Sequence, residues 1–241
     1  MSQAVEGQVV MPFYVLCDVS GSMWADMPAL NAGLAQLRQA IMRDPVVDDL
    51  AMMSVIAFAD TAHTVVPLSF PSQVESPTLV SGGLTNFGPA FREFHRAFEA
   101  DRIRLKSEGK RIFRPCVFFL TDGEPTDGDY AQVFSSLLRY DVVTKQGNPR
   151  YPYVTAFGFR EATAETMQTL TYPDFGEKRG RYFLAREGAV VSEILSAIAG
   201  AIAGAIATSV VGSALSTGSG KAQYMPPAKD SVGGMKGSLI R

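Results

Sequence analysis

The 241-residue sequence predicts a three-layer α/β fold, with a mostly parallel central sheet, one antiparallel edge strand and helices on both faces. Three observations carry this expectation. The runs VVMPFYVLC (Val9–Cys17) and IFRPCVFFLT (Ile112–Thr121) are almost continuously apolar and rich in β-branched and aromatic residues, as strands covered on both faces are. Strand-like segments alternate with segments of helical period, which makes successive strands parallel. One pair breaks the alternation. Leu50–Phe58 and His63–Phe70 both read as strands, and the connection Ala59–Ala62 is so short that they must run antiparallel.

The remaining elements follow in order. After the first strand and the polar loop DVSGSMWAD, Leu30, Leu34, Leu37 and Ile41 recur at helical spacing over Met27–Arg43. The loop Pro71–Leu84 is rich in Ser, Gly and Pro. A long helix is predicted from Phe87 to Lys106, with Phe91, Phe94, Phe98 and Ile103 inward and Arg92, Glu93, Arg96 and Glu99 outward. Past the second apolar strand, helices are expected at Tyr130–Leu138 and Ala162–Leu170 and strands at Tyr153–Phe159 and Arg181–Leu184, with a last helix from Ala189. That helix carries Val190, Ile194, Ile198, Ile202 and Ile206 every four residues, and Gly200 and Gly204 on another face. Its length would suffice for a membrane span. Its small-residue composition favours a helix packed on the sheet, so a membrane partner is not expected. The organisation reads as an N-terminal extension (1–8), one domain (9–212) and a flexible Gly-, Ser- and Pro-rich tail (213–241).

Composition narrows the function classes. A hydrophobic share of 46% with 19% charged residues suits a chain that buries a sizeable core. The formal charge of -2, with no stripe of Lys and Arg among aromatics, argues against nucleic acid as a partner. Cys17 and Cys116 lie inside apolar runs and read as buried reduced thiols. The start of the chain lacks the basic and then apolar pattern of a secretory signal, so a cytoplasmic location is expected.

The chemistry concentrates in three loops rich in oxygen ligands. They hold Asp18, Ser20 and Ser22 in D-x-S-x-S, Thr85 in GGLTNFG, and Asp122 in LTDGEPTD. Carboxylates and hydroxyls without His or Cys form the ligand set of a hard cation such as Mg2+, with Mn2+ or Ca2+ as alternatives. Competing readings fail on spacing. Asp122–Asp129 lacks the sixth-position Gly and twelfth-position Glu of an EF-hand, and GGLTNFG lacks the Lys-Ser/Thr ending of a phosphate-binding loop. His63 and His95 accompany no nucleophile. Trp24, Asn86 and Glu124 flank the loops and are the candidate partner-contacting residues, while Asp26 could cap the helix beginning at Met27.

In order, spacing and flanking elements, FYVLCDVSGSM, GGLTNFG and FFLTDGEPTD resemble the three metal-ion-dependent adhesion site segments of the von Willebrand factor A family, a Rossmann-like three-layer fold. The resemblance covers residues 9 to 210 and implies direct metal ligation by Ser20, Ser22 and Thr85, with Asp18 and Asp122 acting through water. It implies a binding role without enzymatic activity, in which a partner protein supplies a Glu or Asp to the ion. GGLTNFGPAF and FFLTDGEPTD are most similar to bacterial TerY-type proteins of tellurite resistance and stress response. A kinase or phosphatase of the same system would then be the partner. A Mg2+-dependent phosphate-ester hydrolase and a scaffold subunit of a larger complex are the alternatives.

Overall fold

The computed structural model describes residues 7–175, 180–215, 224–230 and 232–239. Its strands are β1 (Val9–Asp18), β2 (Ala51–Phe58), β3 (Ala62–Ser69), β4 (Arg111–Ile112), β5 (Cys116–Thr121), β6 (Tyr153–Gly158), β7 (Arg181–Ala185) and β8 (Met235–Leu239). Its helices are α1 (Met27–Met42), α2 (Pro45–Leu50), α3 (Phe87–Ser107), α4 (Tyr130–Leu138), α5 (Ala164–Thr169) and α6 (Val191–Leu215). The strands join one sheet in the order β3-β2-β1-β5-β6-β7-β8, with β4 paired to the start of β1. The pairs from β2 through β1, β5 and β6 to β7 are parallel, and β3 is antiparallel to β2, as expected.

Alternation along the buried strands sorts the core into two layers. Phe13, Val15 and Cys17 of β1, with Phe118 and Leu120 of β5, face α1, α2 and α6. Tyr14 and Leu16, with Val117 and Phe119, face α3, α4 and α5. Both faces of the central strands are therefore apolar, which is why their sequences read as continuous runs rather than alternating ones. Each fully buried Phe stabilises the fold by roughly 1.5–3 kcal/mol relative to an exposed one. Both cysteines are free and buried.

Several expectations are corrected. The run Ile112–Thr121 is two strands, because pairing with β1 is interrupted after Phe113, whose N–H still donates to Val10 O at 3.0 Å, and Pro115 has no N–H to donate. Helix α2 was not anticipated, although Asp44 caps it by accepting from Val46 N at 3.0 Å and Pro45 stands in its first turn. Ile103 is 63% exposed: it lies five residues past buried Phe98, about 140° round the helix from it. Glu93 turns partly inward, accepting from Thr64 N at 3.0 Å and Thr64 Oγ1 at 2.6 Å.

The expected flexible tail is also corrected over its described residues. Positions up to Leu215 belong to α6, and Met235–Leu239 adds to the sheet antiparallel to β7, so the second edge is antiparallel too. The strand satisfies the edge hydrogen bonds of β7 and so outweighs the polar composition that suggested disorder. Tyr224 is buried, shares a 2.6 Å hydrogen bond with Thr155 Oγ1 and stacks on Tyr153 at 4.8 Å. Residues 216–223, 231 and 240–241 of that tail, and 1–6 of the N-terminal extension, lie outside the described residues. Helix α6 buries Ile194, Ile198, Ile202, Ile206 and Val210 against the sheet layer, whereas Val190 precedes the helix and is exposed. The segment Val191–Val211 is long and apolar enough to cross a membrane by length and composition, and 56% of its most apolar window is buried here.

Candidate metal centre

The sheet reverses direction of growth between β1 and β5, and parallel register brings the carboxyl ends of the two strands together. Asp18 ends β1 fully buried, with Oδ1 accepting from Ser20 N at 2.8 Å and Oδ2 from Thr121 Oγ1 at 2.6 Å. The first loop then turns through a short 3-10 segment, Gly21–Ala25, anchored by buried Met23. This turn sets Ser20 Oγ 3.1 Å from Ser22 Oγ, and Ser22 Oγ donates to Asp122 Oδ1 at 2.8 Å. Three of the five predicted ligand residues, Ser20, Ser22 and Asp122, thus share one hydrogen-bonded chain of oxygens, and Asp18 joins it through the Ser20 backbone N–H.

Thr85 arrives by way of the backbone. Gly21 N donates to Gly83 O at 3.0 Å and Gly82 N to Val19 O at 2.8 Å, which fastens the second loop to the first. Gly83 has φ +84°, and a Cβ on it would overlap the Asp60 carboxylate, so only glycine fits this turn. Thr85 is buried, and its carbonyl accepts from Thr126 N of the third loop at 2.8 Å. Its hydroxyl makes no hydrogen bond among the described residues. Thr85 is not the cap of α3. That role falls to Asp127, which accepts from Phe87 N at 2.8 Å and Gly88 N at 2.6 Å.

The electrostatics suit a cation. Burial raises the carboxyl pKa of Asp18, against the lowering effect of hydrogen bonds from Ser20 and Thr121, and the nearby Asp122 charge raises it further. Burial also raises that of Asp122, where Ser22 and Arg160 work the other way. Carboxylates crowded in a buried loop cluster, beside neutral hydroxyls and an unpaired Thr85 hydroxyl, form a donor set that fits a hard divalent ion. Among the described residues no three or more His, Cys, Asp or Glu cluster as metal ligands, and hydroxyls make up three of the five donors gathered here.

No protein-family model and no curated protein sequence matches the chain. Solved structures do. Proximal thread matrix protein 1 from the mussel byssus aligns with TM-score 0.55 and 15% identity over 84% of this chain and 49% of its own. A structure of that protein with a zinc-occupied MIDAS motif aligns with TM-score 0.53 and 14% identity, over 84% and 49%. The ArnB paralog VWA2 of Sulfolobus acidocaldarius gives 0.50 and 19%, over 79% and 45%. This chain has the von Willebrand factor A fold. The pilus adhesin SpaC of Lactobacillus rhamnosus GG shares it, with TM-score 0.56 and 14% identity over 83% of this chain and 31% of that one. The chain spans under half the length of each of these structures.

Around the oxygen cluster the flanking residues divide. Trp24 is 74% exposed beside Ser22 and presents its ring to solvent. Asn86 instead latches loops together, its Oδ1 accepting from Thr126 Oγ1 at 2.6 Å and its Nδ2 donating to Asp60 O at 3.4 Å. Glu124 is committed to α5, accepting from Thr163 N at 2.7 Å and from Thr166 Oγ1. Both of its oxygens are thus engaged at the start of that helix, whose cap is Thr163, accepting from Thr166 N at 3.3 Å. Asp26 makes no side-chain cap bond to α1; it pairs with the Arg160 guanidinium.

Sequence reasoning missed Thr121 and Arg160. Thr121 directly precedes Asp122 in the quoted motif, and its place at a strand end was the available signal. Arg160 had none: it follows β6, takes φ 53°, donates to Ser22 O at 3.3 Å and lies 3.8 Å from Asp122 Oδ2.

Proposed function

We propose that the chain is a metal-dependent protein-interaction module that takes a Glu or Asp of a partner protein. Ser20, Ser22 and Thr85 would hold a divalent ion directly, Mg2+ by preference with Mn2+ or Ca2+ as alternatives, and Asp18 and Asp122 would stand behind them. The observation that carries this reading is the linked array Ser20, Ser22 and Asp122 at the carboxyl ends of β1 and β5, beside an exposed tryptophan. When bound, the ion supplies an electrophilic coordination position open to a carboxylate. Trp24 offers apolar area next to that position, in the manner of interface anchors.

The reading assigns no catalytic residue. The likeness of the sequence to TerY-type proteins supports a setting in a bacterial, cytoplasmic stress-response assembly, with a kinase or phosphatase as the partner that supplies the acidic residue.

Pull-down from the native host with the full chain tests this. Capture of a partner should be lost in EDTA, return with Mg2+ or Mn2+, and fail with Asp18→Ala. Because Asp18 is buried, Ser22→Ala on the exposed loop serves as the second variant, with thermal unfolding as the folding control for both. Partner capture indifferent to chelator and to Ser22→Ala overturns the proposal.

A further inference from the structure

At the other end of the sheet, near the amino ends of β5 and β6, a groove of about 470 Å³ opens between the last turns of α3, the β4 segment and the loop before β6. Six cations line it: Arg102, Lys106, Lys110, Arg111, Arg114 and Arg150. Two of them are in ion pairs with carboxylates among the described residues, and the Glu99 charge also acts on Arg150. Glu99 holds Arg102 at 2.7 Å and Glu108 holds Lys110 at 2.6 Å. Arg114 is pinned differently, stacking over the Tyr151 ring at 3.7 Å and donating to Tyr151 O at 2.7 Å. Lys106, Arg111 and Arg150 are exposed and make no ion pair among the described residues. In a chain of net charge -2 this is a local concentration of positive charge. A concave, low-dielectric wall focuses such a field on an anion.

The floor has the opposite character. Phe98, Phe113 and Pro115 provide apolar surface beneath the cations, with Phe98 and Pro115 buried. Small-molecule sites combine a cavity of this size, an apolar wall and a few placed polar groups. Guanidinium and ammonium groups together match phosphoryl oxygens, and guanidinium planes also stack on rings.

We infer that this groove binds a nucleotide-like polyphosphate, a small molecule with two or more phosphoryl groups and a planar ring. The phosphoryl groups would meet Lys106, Arg111 and Arg150, and the ring would lie on the apolar floor. The site is at the far end of the sheet from the metal centre and does not depend on it.

Calorimetric titration of the full chain in EDTA, with ATP as the probe, tests the inference apart from any metal. ATP should bind, and Arg111→Ser with Arg150→Ser should weaken it by about tenfold or more. Lys106→Ser should weaken it to a smaller degree, and unfolding temperatures without ATP should match the parent. Ser22→Ala should leave ATP binding unchanged. Tripolyphosphate should bind more weakly than ATP because it lacks a ring, and an oligoglutamate peptide of matched charge more weakly still. Absence of ATP binding, equal binding by the double variant, or equal binding of tripolyphosphate or oligoglutamate would each overturn the inference.

Discussion

Thr121 donates its hydroxyl to Asp18 Oδ2 at 2.6 Å, joining the last residues of two adjacent parallel strands beneath the oxygen cluster. Both side chains are fully buried, so water cannot replace either partner. Asp18 is thereby fixed in the one orientation in which its other oxygen receives Ser20 N and starts the first loop. Thr121→Val keeps the shape and removes the donor. It should destabilise the chain by about 1–3 kcal/mol, the cost of a buried acceptor left unsatisfied. Urea unfolding in EDTA measures this, and an unchanged midpoint would show that the contact positions nothing.

The glycines of the second loop make a matched pair. Gly83 has positive φ and no room for a Cβ, whereas Gly82 has open space at that position. Gly83→Ala should cost about 1 kcal/mol or more and weaken Mn2+ binding through displacement of Thr85. Gly82→Ala should leave both nearly unchanged. Thermal unfolding and metal titration of the two variants side by side provide the check.

Asp127 ties the third loop to the start of α3 through two backbone N–H groups. Asp127→Ala should lower stability by about 0.5–2 kcal/mol, as loss of a helix cap does. Asp129 lies two residues on, and among the described residues its side chain forms only an exposed pair with Arg92, so Asp129→Ala should cost well under about 1 kcal/mol. Similar losses for the two variants in chemical denaturation would contradict this assignment.

Glu93 supplies a pH dependence. Hydrogen bonding from Arg96 holds its carboxyl below the usual glutamate range, with Thr64 adding to the effect against partial burial. A depressed folded pKa favours the charged form in the native state. Its stabilisation is present above the ordinary glutamate value and is lost as pH falls through the lower folded value. Glu93→Gln should therefore be less stable than the parent near neutrality, and the difference should shrink on acidification below the ordinary glutamate range. Denaturation midpoints across that range test the sign; a gap that widens towards acid pH reverses the argument.

Much of the architecture could be read from short stretches of sequence. Tyr130–Leu138 was placed to the residue, and β1, β2, β3 and α1 to within one or two, because hydrophobic period is set within a single element. The errors arose where a local signal was overlooked or outweighed. Asp44-Pro45 announced α2, and Pro115 announced the break before β5. For β8 the polar composition was outweighed by pairing with β7, a partner remote in sequence.

The candidate site divides the same way. D-x-S-x-S, the Thr85 loop and Asp122 were legible because each motif is a few residues long and lies at a predicted strand end or helix start. Their mutual contacts were not. That Ser22 meets Asp122, that Thr121 holds Asp18, that Arg160 closes on Asp26 and that Glu124 turns to α5 all follow from strand order and register. The basic groove shows this division most plainly, since its cations come from α3, β4 with the loops on either side of it, and the loop before β6, and the sequence showed no basic stripe. Most of the elements, their order and the ligand types were legible along the chain, because those depend on neighbours in sequence. Which side chains meet, and that residues 235–239 pair with β7, followed from the fold, because charge and hydrogen bonding act across space between segments that the sheet alone brings together.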